Sequence, residues 1–217
     1  MVYRETPRVL ERKQARRRKL LDVAIRLFAR KGYHAATVPM IVRASGISTG
    51  TFYLYFSDKE DIFAAALEEL GERISAAINQ DMAAAGPDVL LHMQAAVRAL
   101  VGFLADHPRE ARILIVESSG LGKRLDGVRR RIIASHTRGV EQALAAMADR
   151  LPPMETAVVA RCWVGAVYEA VFCWLEQPVM ERIPADHLAA AIAHFNLRGI
   201  GAPARTLEED KDHGSRD

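Results

Sequence analysis

Cysteine is nearly missing from this chain. There are 2 in 217 residues, Cys162 and Cys173, both in one apolar run. Two thiols so placed exclude a disulfide framework and give no structural metal spacing. Free cysteine is usually buried, so both are expected as buried, reduced thiols. Aromatics are scarce too, at 6% of residues. With few strand formers and abundant Ala, the composition favours helices. "RILIVE", 112–117, has strand propensity but lies among helical patterns, and is read as a buried helix. No apolar run is read as reaching the roughly 18–20 residues that cross a bilayer, and no signal peptide precedes the basic start. A cytoplasmic protein without a membrane partner is expected. Catalytic signatures are also missing. There is no phosphate loop ending in G-K-[ST] and no G-x-G-x-x-G, and "GLGKR" is too short to replace them. The scattered His92, His107, His136, His187 and His194 have no metal-ligand spacing. Neither a cofactor nor an enzymatic activity is expected.

Charge is present in an uneven way. The net charge is only +3, yet residues 1–60 hold 13 Lys and Arg against 5 Asp and Glu, while the rest holds 17 against 22. A basic segment joined to an acidic remainder suits a phosphate-binding part and a part with another task.

The basic segment has helical order. In "RRRKLLDVAIRLFARKG", Leu20, Leu21, Ala24, Leu27 and Phe28 recur at helical spacing, and Gly32 is a natural stop. Thr37 can cap a short second helix, with Pro39 in its first turn and Gly46 at its end. In "GISTGTFYLYFSDKE", 46–60, Ser48 can cap a third helix anchored by Ile47 and Phe52. Ser57–Glu60 has the form of a capping box, which starts a fourth helix at Asp58. A short helix, a Gly-containing turn and a second short helix make a helix-turn-helix pattern. The small residues Thr49, Gly50 and Thr51 let the second short helix approach the floor of a DNA groove. Tyr53, Tyr55 and Lys59, with the first amides of the fourth helix, can reach phosphates.

Residues 20–67, "LLDVAIRLFARKGYHAATVPMIVRASGISTGTFYLYFSDKEDIFAAAL", resemble the TetR family of transcriptional regulators. They follow its pattern A-x-x-L-F-x-x-x-G-Y, then T-x-x-x-I-A-x-x-A-G-V-S-x-G-x-x-Y-x-Y-F-x-x-K-E-x-L. Val42 and Ser45 depart from it, each standing where Ala is usual. Pro39 departs where a polar residue is common, which shifts specificity toward Arg43 and the third helix. The resemblance implies phosphate contacts from Thr37, Tyr53, Tyr55 and Lys59, and a major-groove position for Ser48, Thr49, Gly50 and Thr51. Base identity does not follow, because Thr is a permissive reader.

The resemblance also implies an all-α fold of about nine helices, in line with the periodicity. Its organisation is a DNA-binding domain with a basic arm over 1–56, a helical ligand-binding and dimerisation domain over 57–200, and a disordered tail over 201–217. The implied partners are a palindromic double-stranded operator, a second copy of the chain, and a small apolar or amphipathic effector that releases a repressor. Helix 154–176 is apolar nearly all round. Its Ala157, Val158, Ala160, Gly165, Val167, Val171 and Trp174 are the dimer candidates. Pocket candidates are Met93, Phe103, Ile115, Glu117, Trp163 and Tyr168, although core packing accounts for each alone. Glu117 needs a partner if buried, with Arg112 nearby in sequence. Lys123, Arg124, Arg129, Arg130 and Arg131 form either a solvated face or an anion site at a pocket mouth, as for the phosphates of an acyl-coenzyme A. Two alternatives stand beside this reading: a DNA-binding protein without an effector, and a helical small-molecule-binding module or enzyme of unrecognised type.

Overall fold

The computed structural model describes residues 6–202, and among them every regular element is helical. In chain order these are α1 (Pro7–Ala35), α2 (Val38–Ser45), α3 (Thr49–Tyr53), α4 (Lys59–Ala84), α5 (Val89–Asp106), α6 (Pro108–Ala111), α7 (Lys123–Ala145), α8 (Thr156–Glu176) and α9 (Ala185–Gly199). A π-helical turn, Arg112–Glu117, continues α6, and a 3-10 turn, Val179–Glu181, precedes α9. "RILIVE" is therefore helical, with Ile113, Leu114 and Ile115 buried.

The chain forms two compact units, Met1–Leu70 with Arg109–Arg129, and Gly71–Pro108 with Arg130–Asp217. The division by contact differs from a cut at residue 56, because α4 and α7 each run from one unit into the other.

The first unit is built on α1. Its residues up to Lys19 are exposed, and its apolar stripe starts at Leu20 and runs through Phe28. Phe28 is fully buried, with its ring edge-on to Phe63 of α4 at 4.8 Å. Each such aromatic contributes about 1.5–3 kcal/mol by burial. Gly32 kinks the end of α1 at φ 76°. Thr37 caps α2 by accepting from Met40 N–H at 3.4 Å, and Gly46 closes it in the left-handed region at φ 65°. Ser45 is buried in the turn that follows. Its hydroxyl donates to Val42 O at 2.9 Å and accepts from Ile47 N–H at 3.2 Å. Alanine would make neither bond, so Ser45 pins the turn. The cap of α4 lies one residue later than the S-x-x-E pattern predicts. Asp58 accepts from Asp61 N–H at 2.7 Å, while the Asp61 carboxylate reaches back to Ser57 N–H at 2.9 Å. An aspartate is at least as good an N-cap as a serine, which explains the shift.

In the second unit α9 packs against α5 and α8. Gly71 of α4 meets α7, where a Cβ would stand 2.9 Å from Ile132 Cγ1. The inward stripe of α8 is Ala160, Trp163, Val164, Val167, Tyr168, Val171 and Trp174.

Several expectations need correction. Cys162 and Cys173 are exposed, because both sit on the face of α8 opposite that stripe. Two helices are long and apolar enough to meet the length and hydropathy of a membrane span, Val89–Asp106 and Thr156–Glu176. Their windows include charged residues without losing the mean hydropathy. α7 ends at Ala145, short of Pro152. Bonds such as Met147 N–H to Leu144 O at 3.1 Å and Arg150 N–H to Met147 O at 2.8 Å wind the following residues into turns. Of the expected tail, Ala202 is buried and donates to Leu197 O at 3.0 Å; residues 203–217, like the first five residues of the basic arm, lie outside the described residues.

Candidate nucleic-acid interface and effector cavity

The first turn of α3 is held by Ser48, which accepts from Thr51 N–H at 3.2 Å and shares a hydroxyl contact of 2.8 Å with Thr51. Phe52 anchors the helix from below at 0% exposure. Thr49 and Gly50 stay exposed, and Tyr53 is 55% exposed. A Cβ at Gly50 would meet no protein atom within 4 Å. The interior therefore does not require glycine there, although glycine costs a helix about 0.5–1 kcal/mol. Arg43 and Thr37 are exposed nearby in sequence, and Tyr55 is half-buried. Sequence reasoning missed Leu54, which is 81% exposed after Tyr53; its lack of an inward periodicity partner was the available signal.

Lys59 is more committed than a simple phosphate contact. Its Nζ donates to Tyr33 O at 2.8 Å and His34 O at 3.3 Å, and lies 4.3 Å from the centroid of the Tyr33 ring. It closes the carbonyl end of α1. Burial, then the Glu60 and Asp58 carboxylates, raise the Tyr33 pKa. Glu117 also serves this corner. It accepts from Tyr33 N–H at 3.3 Å and pairs with Arg112 at 3.2 Å. Its Oε2 would lie 3.1 Å from a Cβ at Gly32, so that residue must be small as well as left-handed.

The second unit contains a cavity of about 520 Å³ walled by α4, α5, α7 and α8. That is within the roughly 300–1,000 Å³ usual for small-molecule sites. Met93, Val97, Leu100, Trp163 and Val167 supply much of its apolar wall, with Ser75, Asn79 and Gln142 among its polar groups. Among the described residues, no Lys, Arg, Asp or Glu lines it. His136 and Tyr168, both on its wall, are in contact with each other, Nδ1 to hydroxyl, at 3.0 Å. His136 Nε2 is buried and has no hydrogen-bond partner among the described residues. Such an orphan costs about 1–3 kcal/mol unless something satisfies it. Burial lowers the His136 pKa, so the ring is held neutral.

Residues 20–66 match the model of the bacterial regulatory proteins, tetR family. The head is that of a TetR-family protein. The matched residues span α1 from Leu20 through α3 and the first turns of α4. The chain is similar to the fatty acid metabolism regulator protein of Bacillus subtilis, 35% identical over 60 residues, 28% of this chain and 31% of that one. It is similar to a helix-turn-helix transcriptional repressor of Mycobacterium tuberculosis, 42% identical over 67 residues, 31% and 36% of the two chains. These matches span about a third of the relatives' length. In overall fold the chain resembles the crystal structure of the regulator FadR from Bacillus subtilis in complex with stearoyl-CoA. There the TM-score is 0.75 at 20% identity, over 84% of this chain and 98% of that one. The named relatives are regulators rather than enzymes.

Within this fold, the structure gathers only part of each predicted set. Met93, Trp163 and Tyr168 line the cavity. Phe103 does not; its ring stacks on His107 at 4.3 Å. Ile115 is buried in the other unit, and Glu117 serves the α1 corner there. None of Lys123, Arg124, Arg129, Arg130 and Arg131 lines the cavity, because its α7 wall starts at Ser135. Arg124 instead pairs with Asp61 at 2.7 Å. Burial alone would raise the Asp61 pKa, but Ser57 N–H and Arg124 outweigh it and lower it. Of the dimer candidates, Ala160, Val167, Val171 and Trp174 are buried within their own unit and leave no surface for a second copy. Val158, 52% exposed, and Gly165 lie on the open face, and Ala157 is half-buried. Cys162 and Cys173 share that open face, and Phe195 of α9 is 68% exposed. The inward and outward stripes of α8 are both apolar, so periodicity could not separate them.

Proposed function

We propose that the chain is a ligand-responsive, DNA-binding transcriptional regulator of the bacterial cytoplasm. It acts as a homodimer and represses from a palindromic operator. Residues 1–56 read DNA, and residues 57–200 bind effector and dimerise. The observation that carries this reading is the first turn of α3: exposed Thr49 and Gly50, with no internal demand for glycine, on a segment with excess positive charge. Two such helices would enter successive major grooves about one turn apart. Arg43, Ser48 and Thr51 complete the surface, while Thr37, Tyr53, Tyr55 and Lys59 contact phosphates. Lys59 has two of its three N–H directions occupied and keeps its charge for this. The outward residues of α8 and α9, Val158, Gly165 and Phe195, suit the second copy.

The effector is a small apolar or amphipathic molecule in the α4–α5–α7–α8 cavity. Likeness to the stearoyl-CoA complex of FadR supports an acyl chain as one such ligand. The absence of Lys and Arg from the wall leaves coenzyme A phosphates without a partner inside it. Ser75, Ile78, Asn79 and Met82 of α4 line the cavity, which suits α4 as the element that ligand entry moves. Selection from a random DNA pool tests the reading. A palindromic consensus is the expected result; no enrichment at low salt would overturn it.

A further inference from the structure

α1 begins well ahead of Leu20, where both its buried stripe and the family match start. Residues 7–19 are helical, yet every one of them is exposed. They carry seven Lys and Arg against a single acid, Glu11. Arg8, Arg12 and Arg16 stand at i, i+4 and i+8, a spacing at which like charges oppose a helix. At 1.5 Å per residue the three span about 12 Å. A partner that repeats negative charge along a line relieves such a row, and duplex DNA carries one charge per about 1.7 Å of its axis. Val9 and Leu10 are the segment's only large apolar side chains, and they are adjacent in sequence. Residues 7–19 therefore offer no apolar stripe to a lipid surface or a partner helix. The segment is also continuous with the candidate interface. The Arg17 guanidinium lies 5.4 Å from the centroid of the Phe56 ring, which lies 5.8 Å from the ring of Phe52, the anchor beneath α3. We propose that residues 7–19 form a phosphate-binding arm, in which Arg8, Arg12 and Arg16 contact the DNA backbone beside the groove that α3 enters. Phosphate contacts carry no base information, so the arm adds affinity and leaves specificity to α3.

This rests on the reading of the head as a DNA reader, and a scrambled duplex separates the two. The full chain is compared with a triple variant, Arg8→Gln, Arg12→Gln and Arg16→Gln, since glutamine keeps helix propensity. Each is titrated at several salt concentrations with two duplexes of equal length. One carries the palindrome selected from the random pool and the other a scrambled sequence; if no palindrome is selected, the scrambled duplex alone decides. The triple variant should flatten the slope of log affinity against log salt by about 2.7 on both, at about 0.9 for each phosphate. Its preference for the palindrome should be unchanged. Replacing the same three residues by Lys keeps the charge and should keep most of the slope. Circular dichroism melts should not move, because the three side chains are exposed. If the triple variant melts early, Arg12→Gln alone takes its place and should flatten the slope by about 0.9. An unchanged slope overturns the arm. Loss of binding to phosphatidylglycerol vesicles with an unchanged DNA slope gives the arm to a membrane instead. If the full chain prefers neither duplex but the variant still flattens the slope, the arm stands and the operator reading fails. If the full chain binds neither duplex, both fail.

Discussion

The head exposes polar and small residues, Thr49, Gly50 and Tyr53, over a buried aromatic anchor, Phe52. The body exposes apolar residues, Val158 and Phe195, while sealing a polar atom, His136 Nε2, within. In each region the residue out of place for a self-sufficient fold marks a partner. A helical glycine with open space above it suits a groove floor, and exposed aliphatics suit another protein surface. The largest test of that contrast is Thr49→Glu. Under the proposed function, a carboxylate on the exposed first turn would face the DNA phosphates and would also remove a groove contact. Operator affinity should fall by well over tenfold, at about 1–3 kcal/mol per lost contact plus repulsion. Thermal stability should be unchanged. A matching fall in melting temperature would make Thr49 part of the fold instead.

Glu117→Ala sharpens the same contrast inside the first unit. The carboxylate is only 17% exposed and serves both Arg112 and Tyr33 N–H. Its removal should cost about 1.5–3 kcal/mol, the range for hydrogen bonds to charged groups, read as a lower urea midpoint at unchanged m-value. An unchanged midpoint would show that solvent replaces both contacts, and that Glu117 does not hold the end of α1.

Much of the head was legible in the sequence because local chemistry fixes it. Thr37, Ser48, Gly32 and Gly46 each act within a turn or so of their own position, and caps and left-handed glycines are short-range events. The shifted cap at Asp58 shows the limit, since two neighbouring residues were both competent and geometry chose between them. The body was legible only as helices. Two apolar stripes on α8 give the same periodicity whether one or both are buried, so Ala160 and Val158 look alike until neighbours are in place. Glu117 and Tyr33 are 84 residues apart, and no spacing rule joins them. His136 and Tyr168, 32 apart, meet only because α7 and α8 wall the same cavity.

Lys59 tests whether a head residue can serve the fold and the DNA together. Lys59→Ala should reduce the slope of log affinity against log salt by about one phosphate contact. It should also lower stability modestly, because Tyr33 O and His34 O lose their donor. Lys59→Arg separates the roles. The charge remains, so the salt slope should hold, but the longer side chain holds its donors in a rigid planar fork that does not match the ammonium's place against Tyr33 O and His34 O, so stability should still fall. Lys59→Ala with an unchanged salt slope would leave Lys59 as a helix cap alone.

The smallest effect belongs to His136. Burial lowers its folded-state pKa below the ordinary 6.5, so the unfolded chain binds the proton more readily. The neutral ring's contribution is fully present above pH 6.5, and is lost as pH falls below 6.5 toward the folded pKa. Melting temperature measured from pH 8 to pH 5 should decline below about 6.5, with a slope no steeper than one proton allows. His136→Phe should flatten that part of the curve. Asp61, whose pKa is lowered from 3.8, loses its contribution only at more acid pH, so the two groups separate. If His136→Phe leaves the slope between pH 6.5 and 5 unchanged, the proton is taken up elsewhere and His136 is not the buried neutral group.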